Sequence, residues 1–575
     1  MEIPVVPKGH AILIRDRVAA LVTEATQAAQ RAGELPPYDP PVVEVVRPKE
    51  AEHGDYTTPV AMQSARLARM APLAIAQALI RRLPPADFLA AVDVAPPGFL
   101  NFRLSGRWLA DQVTAIEEAH GHYGDVDVGR ERACQVEFIS ANPTGPLHIG
   151  SARNGVLGDT LANLLAAAGY AVQREYYVND AGTQMRTFAE TLYLRYLQAL
   201  GSSPGGGARP LEAHHYQGAY MKDLAHEIVA ECGDRFRDLP EEQALTELGG
   251  IGMQKILAGI RKSVAALRIH FDLWFSEKSL YDEGLFEKVM ATLQESGMTE
   301  YRDGAVWLRT SQLGSDRDEV LIRSDGRPGY YASDVAYHYD KFVLRGFDRV
   351  IDVWAVDHQN QARRMPHLMK ALGLDPARLT IVLYDFVRLY RNGEEVKLSK
   401  RSGDIITVDE VVDEVGADAV RFLLLTRSNN SVMDFDLNLA VQQNDENPVY
   451  YVQYAHARMA SILRTADDRG FPRARWSDGD LALIGHPAEL ALLRKMAELS
   501  EVIEKAALQL ATHHLGFYAL ELAASFHAFY RDCRVISSDP ADASLSCARL
   551  RLVAATKAVF ARVLGLMGVS APESM

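Results

Sequence analysis

The pattern of the chain predicts an α/β protein with three parts. A doubly wound, mostly parallel-sheet (Rossmann-like) domain sits in the middle, a small α/β domain precedes it, and an all-α bundle follows. Three observations predict this. Strand and helix patterns alternate from about residue 130 to 430, as crossover connections require. Strand signals nearly vanish after 448, where long helical periodicities take over. A Pro-rich break and a separate mixture of helix and strand patterns occupy the N-terminal block. With 575 residues, 48% hydrophobic and 24% charged, the chain has material for roughly three or four domains. We place the boundaries at 1–108, at 120–440 with a helical insertion at about 186–300, and at 447–575.

Residues 10–33 carry Ile12, Ile14, Val18, Leu21 and Val22 at roughly helical spacing. The run Pro36-Pro37-Tyr38-Asp39-Pro40-Pro41 breaks that helix, and 42–46 then reads as a strand. Residues 73–83, between Pro72 and Pro84, read as a second helix. Pro96-Pro97-Gly98 reads as a turn before a strand at 100–104. In the central region 134–139 alternates as a strand does. Leu157, Leu161, Leu164, Leu165 and Ala168 follow the spacing of a buried helix face. Further strands are expected at 172–178, 349–356, 379–384 and 396–398. The stretch 186–300 reads as mainly helical, with a flexible surface loop at 201–207. Toward the C-terminus, 452–463, 487–510, 514–530 and 548–566 read as helices, and no internal repeat is found.

The bulk numbers exclude several classes. No stretch approaches the ~20 apolar residues needed to span a bilayer, and 1–17 lacks the pattern of a secretory leader. Cys134, Cys232, Cys533 and Cys547 form no C-x-x-C pair, so neither a structural zinc nor a disulfide framework is expected. A reducing cytoplasm fits best. The formal charge of −14 argues against a nucleic-acid partner without excluding one, because binding uses local patches.

Two segments carry chemistry. The first is Ser140-Ala141-Asn142-Pro143-Thr144-Gly145-Pro146-Leu147-His148-Ile149-Gly150-Ser151, between a strand and a helix. The prolines and Gly145 make a stiff turn, and Gly150 permits close approach at the helix start. A helix N-terminus after the first strand of a doubly wound sheet is an anion site, and a histidine there can donate to a phosphate as charge develops. On its own the segment also reads as an ordinary strand–turn–helix connection. The second is Lys397-Leu398-Ser399-Lys400-Arg401-Ser402-Gly403, a basic loop able to close on a triphosphate, with Lys397 and Lys400 as point charges. Alone it reads more readily as a solvated basic loop.

Taken together, the two segments resemble the HIGH and KMSK motifs of class I aminoacyl-tRNA synthetases, in the right order at the two ends of one α/β region. The resemblance narrows to the bacterial-type arginyl-tRNA synthetases. It is carried by 136–138 through 158–159, by 175–182 (Glu-Tyr-Tyr-Val-Asn-Asp-Ala-Gly), by Asp418-Ala419-Val420-Arg421, by Asp434-Phe435-Asp436 and by 447–458. In the flanks it is carried by His53-Gly54-Asp55-Tyr56, by Gly98-Phe99-Leu100-Asn101-Phe102 and by 568–575. It covers nearly the whole chain and is weakest at 186–300. Two positions depart from the family pattern. Ser151 stands where the family usually has His, and a hydroxyl can hydrogen-bond but cannot carry the imidazole charge. Leu398 replaces Met, a swap of similar volume.

The resemblance implies an arginine–tRNA ligase. Its substrates would be L-arginine, ATP with Mg2+, and tRNA(Arg), and it would act as a cytoplasmic monomer with no structural zinc or other protein metal site. It implies Glu137, Tyr330 and Asp334 as readers of the arginine side chain, and Asn142 at the amino acid's α-amino and carboxylate end. His358 and Gln359 fall near further substrate contacts of the family. Tyr330 and Asp334 have i, i+4 spacing, which places them on one helix face. Glu137, near the end of a core strand, is costly there unless paired. A cationic substrate would supply the pair; a neighbouring Arg is the plain alternative.

Activation is implied to depend on bound tRNA, with the C-terminal bundle reading the anticodon and the N-terminal domain touching the D-loop side. Arg458, Arg464, Arg549, Arg551, Lys557 and Arg562 are candidate phosphate contacts. Two or three charge-assisted hydrogen bonds at ~1.5–3 kcal/mol each discriminate by ~10⁴ or more, so no editing site is expected. The competing readings are another class I ATP-dependent ligase and a non-catalytic tRNA-binding paralogue. Against the first, this chain lacks the cysteine-rich zinc sites that cysteinyl and many methionyl enzymes carry. The second, suggested by Ser151, would have no need of Glu137, His148, Lys397 and Lys400.

Overall fold

The computed structural model describes residues 13–201, 210–396 and 406–575. The Lys397–Lys400 run, and 202–207 of the flexible run, lie outside the described residues.

The central domain is organised by a five-stranded sheet in the order Leu379–Tyr384, Arg349–Ala355, Ala133–Glu137, Ala171–Val178, Leu273–Ser276. All four pairings are parallel, so the doubly wound expectation holds. The chain starts in the middle strand, builds two strands to one side, then returns to build two on the other. The topological switch therefore lies between Ala133–Glu137 and Arg349–Ala355, where such sheets bind ligands at the strands' C-terminal ends. The first crossover helix, Ile149–Ala167, is buried along most of its length. Gly158 allows this: a Cβ there would stand 2.2 Å from Phe138 Cγ.

The expected strand at 134–139 stops at Glu137, because Ile139 and Ser140 adopt φ of +64° and +44°. The 186–300 stretch needs a sharper description. Helices Thr183–Ala199, Tyr220–Cys232 and Glu241–Ala266 are the helical insertion, but Leu273–Ser276 is an edge strand of the central sheet. Its four-residue length hid it from the periodicity. A separate antiparallel sheet, Thr299–Arg302, Ala305–Leu308 and Glu319–Ile322, follows.

At the N-terminus the expected first helix is Ile14–Arg31 and the second is Pro72–Arg82. Residues 42–46 form no strand; Val46 makes only an isolated bridge to Thr57, on the edge of a three-residue strand. The small sheet instead pairs Tyr56–Thr58, Phe99–Leu104 and Leu89–Ala95 antiparallel. Of the expected strand at 396–398, Val396 follows the two-residue strand Glu394–Glu395 and donates its N–H to Leu389 O at 2.8 Å. The C-terminal bundle comprises Pro448–Asp468, Pro487–Ala497, Leu499–Gln509, His513–Asp532 and Ala543–Leu566, the 487–510 stretch being two helices. No helix of the described residues is long and apolar enough to cross a membrane.

The three parts touch through buried or half-buried ion pairs. Arg47 Nε meets Glu501 at 2.8 Å, Arg494 meets Asp55 at 2.7 Å, and Arg15 pairs with Glu504. Arg421 is fully buried; it donates to Met567 O and Leu267 O at 2.7 and 2.8 Å and to Asp159 at 2.5 Å.

Candidate active site

The first motif occupies the turn between Ala133–Glu137 and Ile149–Ala167. Positive φ at Ile139, a β-branched residue, is strained backbone of the kind that clusters at functional sites. Asn154 holds it from the helix, accepting from Ile139 N at 2.6 Å and donating to Val353 O at 2.9 Å. Tyr176 and Tyr220 anchor the turn by donating to Ala141 O and Thr144 O at 2.8 and 2.7 Å. Asn142 donates to Gln184 at 2.6 Å. Pro143, Thr144 and Leu147 are buried, while Gly145 and Pro146 are half-buried.

His148 is the N-cap of the helix, with Nδ1 accepting from Gly150 N–H at 3.1 Å. That contact assigns the proton to Nε2 in the neutral ring. Gly150 is needed for it: a Cβ would come within 2.9 Å of the His148 ring. His148 is exposed, Ile149 is buried, and the departing residue Ser151 is 8% exposed, so its hydroxyl sits within the first turn. Thr407 bridges His148, and Val408 N donates to Leu147 O at 2.9 Å. The chain just after the second motif is thus fastened to the first.

Beside this turn lie the acidic residues. Glu137 is buried and has partners within the protein. Lys341 Nζ lies 2.6 Å from Oε2, and Ser140 Oγ donates to Oε1 at 2.9 Å. The cation beside it is a lysine from far along the chain, where the plain alternative to a substrate was a neighbouring Arg. Burial pushes the Glu137 carboxyl up, Lys341 opposes this, and Asp352 adds to the rise.

Asp334 is in the helix Tyr330–Tyr339 with Tyr330 at its first position; the side chain of Tyr330 lies outside the described residues. Asp334 accepts from Gln361 Nε2 at 2.7 Å, and burial pushes its carboxyl up to about 6 against the pull of His338. His358 and Gln359 are both exposed. Gln359 lines a separate cleft of about 340 Å³ with Arg363, Met365, Leu379 and Ile381. The amide that reaches Asp334 belongs to Gln361, two residues on.

Sequence reasoning missed Glu277. It follows the edge strand Leu273–Ser276, at the same end of the sheet as Glu137. Ser333 Oγ donates to it at 2.6 Å, Tyr177 also hydrogen-bonds it, and the Asn179 amide reaches it at 2.7 Å when its N and O are exchanged. Burial raises its carboxyl too. Among the described residues neither Asp334 nor Glu277 has a Lys or Arg partner. The signal was an acid directly after a short apolar strand, in a region read as helix. Away from this edge, Glu190, His214 and His215 in the helical insertion bring ligand-type atoms within 4.8 Å of one another.

A parallel sheet with a histidine-capped crossover helix, and with Thr407 and Val408, just beyond the basic run in the sequence, fastened to that cap, defines a class I aminoacyl-tRNA synthetase domain. Comparison agrees: the family model "tRNA synthetases class I (R), catalytic domain" matches residues 112–461. The arginyl tRNA synthetase N terminal domain matches 15–104, and the DALR anticodon binding domain matches 452–575. The chain is 46% identical to the arginine–tRNA ligase of Dehalococcoides mccartyi, over 98% of this chain and 99% of the relative. To that of Heliobacterium modesticaldum it is 44% identical, over 98% and 99%. The solved arginyl-tRNA synthetase of Thermus thermophilus superimposes with a TM-score of 0.74 at 26% identity, over 98% of this chain and all of that one. The chain belongs to the arginyl-tRNA synthetase family.

Proposed function

We propose that this chain joins L-arginine to tRNA(Arg) in two steps at the edge just described. The arginine carboxylate attacks the α-phosphate of Mg-ATP in line, expelling pyrophosphate. The terminal ribose hydroxyl of the tRNA then takes the arginyl group from the adenylate. Catalysis is positioning and electrostatics, with no protein nucleophile. The N-terminus of Ile149–Ala167 and His148 face the phosphates, with Lys397 and Lys400 closing from the second motif. Asn142 serves the α-amino and carboxylate end, and Tyr330 joins Asp334 at the side chain.

The observation that carries the arginine reading is the pair Asp334 and Glu277, two half-buried carboxylates lacking a Lys or Arg partner among the described residues. A guanidinium supplies a fixed charge and five donors. Lysine supplies one point charge and leaves acceptors unpaired, which is how a polar site rejects an analogue. Glu137 then acts as a neutralised acceptor rather than the charge that meets the substrate.

The C-terminal bundle is assigned to the anticodon and the N-terminal domain to the D-loop side, with domains at 1–108, 120–440 and 447–575. The phosphate-contact expectation narrows. Arg549 is paired with Glu489, Arg551 with Glu117, Lys557 with Glu573 and Arg562 with Asp125. Arg464 donates to Glu573 O at 2.9 Å. Arg458 instead lies over the Tyr454 and Tyr530 rings at 5.9 and 4.9 Å, a surface suited to stacking on bases. We assign the chain to the cytoplasm as a monomer.

The test is arginine-dependent ATP–pyrophosphate exchange with and without tRNA, on the wild type and on Asp334→Asn. Exchange with arginine and tRNA is expected, with the variant's arginine KM raised by about 10–100-fold, the worth of one charge-assisted hydrogen bond. Exchange with lysine instead, or none with tRNA present, would sink the proposal.

A further inference from the structure

Beneath the arginine site, three acids lie in register across three neighbouring strands. Glu175 pairs with Glu137, and Glu137 pairs with Asp352, on adjacent parallel strands. Register partners on parallel strands share a face, so the three side chains form one row. Glu175 and Asp352 are fully buried and Glu137 is 6% exposed. Like charges directly opposite are destabilising in a sheet, and buried carboxylates without counter-charge are costly. The row requires bases, and three arrive from one segment.

That segment is the helix Tyr330–Tyr339, the π-helical turn Asp340–Leu344 after it, and Arg345, which caps the turn. Lys341, fully buried, spans Glu137 and Asp352 at 2.6 and 2.9 Å. His338 Nε2 is 3.1 Å from Asp352 Oδ2. Arg345 pairs with Glu175, which also accepts from Tyr337 OH at 2.5 Å. The other nitrogen of His338 lies 2.8 Å from the main-chain oxygen of Asp334. Both facing oxygens accept, the main-chain oxygen of Asp334 and the ionised carboxylate of Asp352, so both ring nitrogens donate. The π-turn shifts Lys341 and Arg345 relative to a regular helix, and such turns recur at functional sites.

The same helix presents Ser333 and Asp334 toward Glu277 and Gln361. Hydrophobic packing alone allows a helix to slide along a sheet; point contacts at 2.5–3.1 Å to three strands do not. We propose that Lys341, with Asp352 and His338, is a positioning group for arginine: the buried acid row clasps the helix and fixes Asp334 at the distance a guanidinium needs. Burial raises the row's carboxyl at Glu137, while Lys341 and His338 hold Asp352 below the usual carboxylate range against its own burial.

This rests on the arginine pocket assigned above, and the experiment separates the two. Lys341→Met alone strands two buried carboxylates and is expected to unfold the domain. The informative variant is Lys341→Met with Asp352→Asn, which removes one charge of each sign. Its melting temperature is compared with wild type, and aminoacylation is followed with arginine and ATP varied separately. A folded double variant is expected to show arginine KM raised about tenfold, within the ~100-fold that a 1 Å misplacement can cost, with ATP KM and kcat little changed. An unchanged arginine KM, or arginine and ATP KM rising together, overturns the proposal. If the double variant melts, His338→Gln is read by the same split and judged by the same outcomes. Asp334→Asn is run alongside: an unchanged arginine KM there overturns the pocket itself, whatever the Lys341 result.

Discussion

At the scale of single residues the site turns on which acids are already spent. Glu137 and Asp352 face Lys341, and Glu175 faces Arg345, so their charge is answered inside the protein. Asp334 and Glu277 face no Lys or Arg among the described residues, and for that reason we assign them to the substrate. The pH consequence follows from Asp334, whose carboxyl burial raises to about 6. A cation binds the ionised form, so below about pH 6 each arginine bound must displace a proton. Arginine KM is expected to rise by up to ~10-fold per pH unit there, with the ATP KM flat through the same window. For folding the sign is opposite. A carboxyl raised in the folded state favours folding below its unfolded value and loses that contribution as pH rises through about 6. Glu277→Gln keeps the acceptor facing Ser333 and removes the charge, so arginine KM is expected to rise about 10-fold or more with unchanged melting. Equal KM values in wild type and variant would remove Glu277 from the pocket.

At the scale of elements, strand ends and glycines decide geometry. The sheet's C-terminal edge was legible where strands were long: 172–178 and 379–384 appear as expected, because a run of six or more residues rich in β-branched and aromatic side chains is a strong signal. Leu273–Ser276 was not legible, since four residues carry too little periodicity, and Glu277 was lost with it. The capping role of His148 was half legible. Its place at a helix start came from the turn chemistry, but its contact with Gly150 N–H needed coordinates. Two glycines test the packing. Gly158→Ala puts a Cβ into Phe138 and is expected to cost about 1–3 kcal/mol or more. Gly250→Ala, in the insertion helix Glu241–Ala266 with nothing within 4 Å, is expected to add about 0.5–1 kcal/mol. Urea midpoints of the two variants measure both.

At the scale of the whole molecule, ion pairs join parts distant in sequence. Arg421 ties the crossover helix, through Asp159, to the end of the insertion helix and to the C-terminus. Gly568 leaves room for it, since a Cβ there would sit 2.2 Å from Arg421 Nη2. Arg421→Met leaves Asp159 with Arg174 at 3.5 Å and is expected to cost about 3–5 kcal/mol. A urea midpoint equal to wild type would contradict this. The acidic total of −14 coexists with a nucleic-acid partner because charge acts locally. Affinity for tRNA is expected to fall by about tenfold or more between about 50 and 200 mM salt. A flat profile in a filter-binding titration would count against the tRNA surface.

The amino-acid sequence by itself determined the class of the fold and the order of its three parts, and it marked the two segments we assign to ATP. Those depend on local periodicity, turn chemistry and contiguous motifs, which a linear string carries in full. The arginine pocket was only partly there. Asp334 and Glu137 could be named from the string, but their roles differ by what stands beside them, and that was decided by tertiary structure. Lys341 reaches Glu137 across 204 positions of the chain, and Ser333 reaches Glu277 across 56. Whether a buried carboxylate is answered by the protein or left for a substrate is a matter of a few ångströms in space, and the spacing of residues along a chain does not encode it.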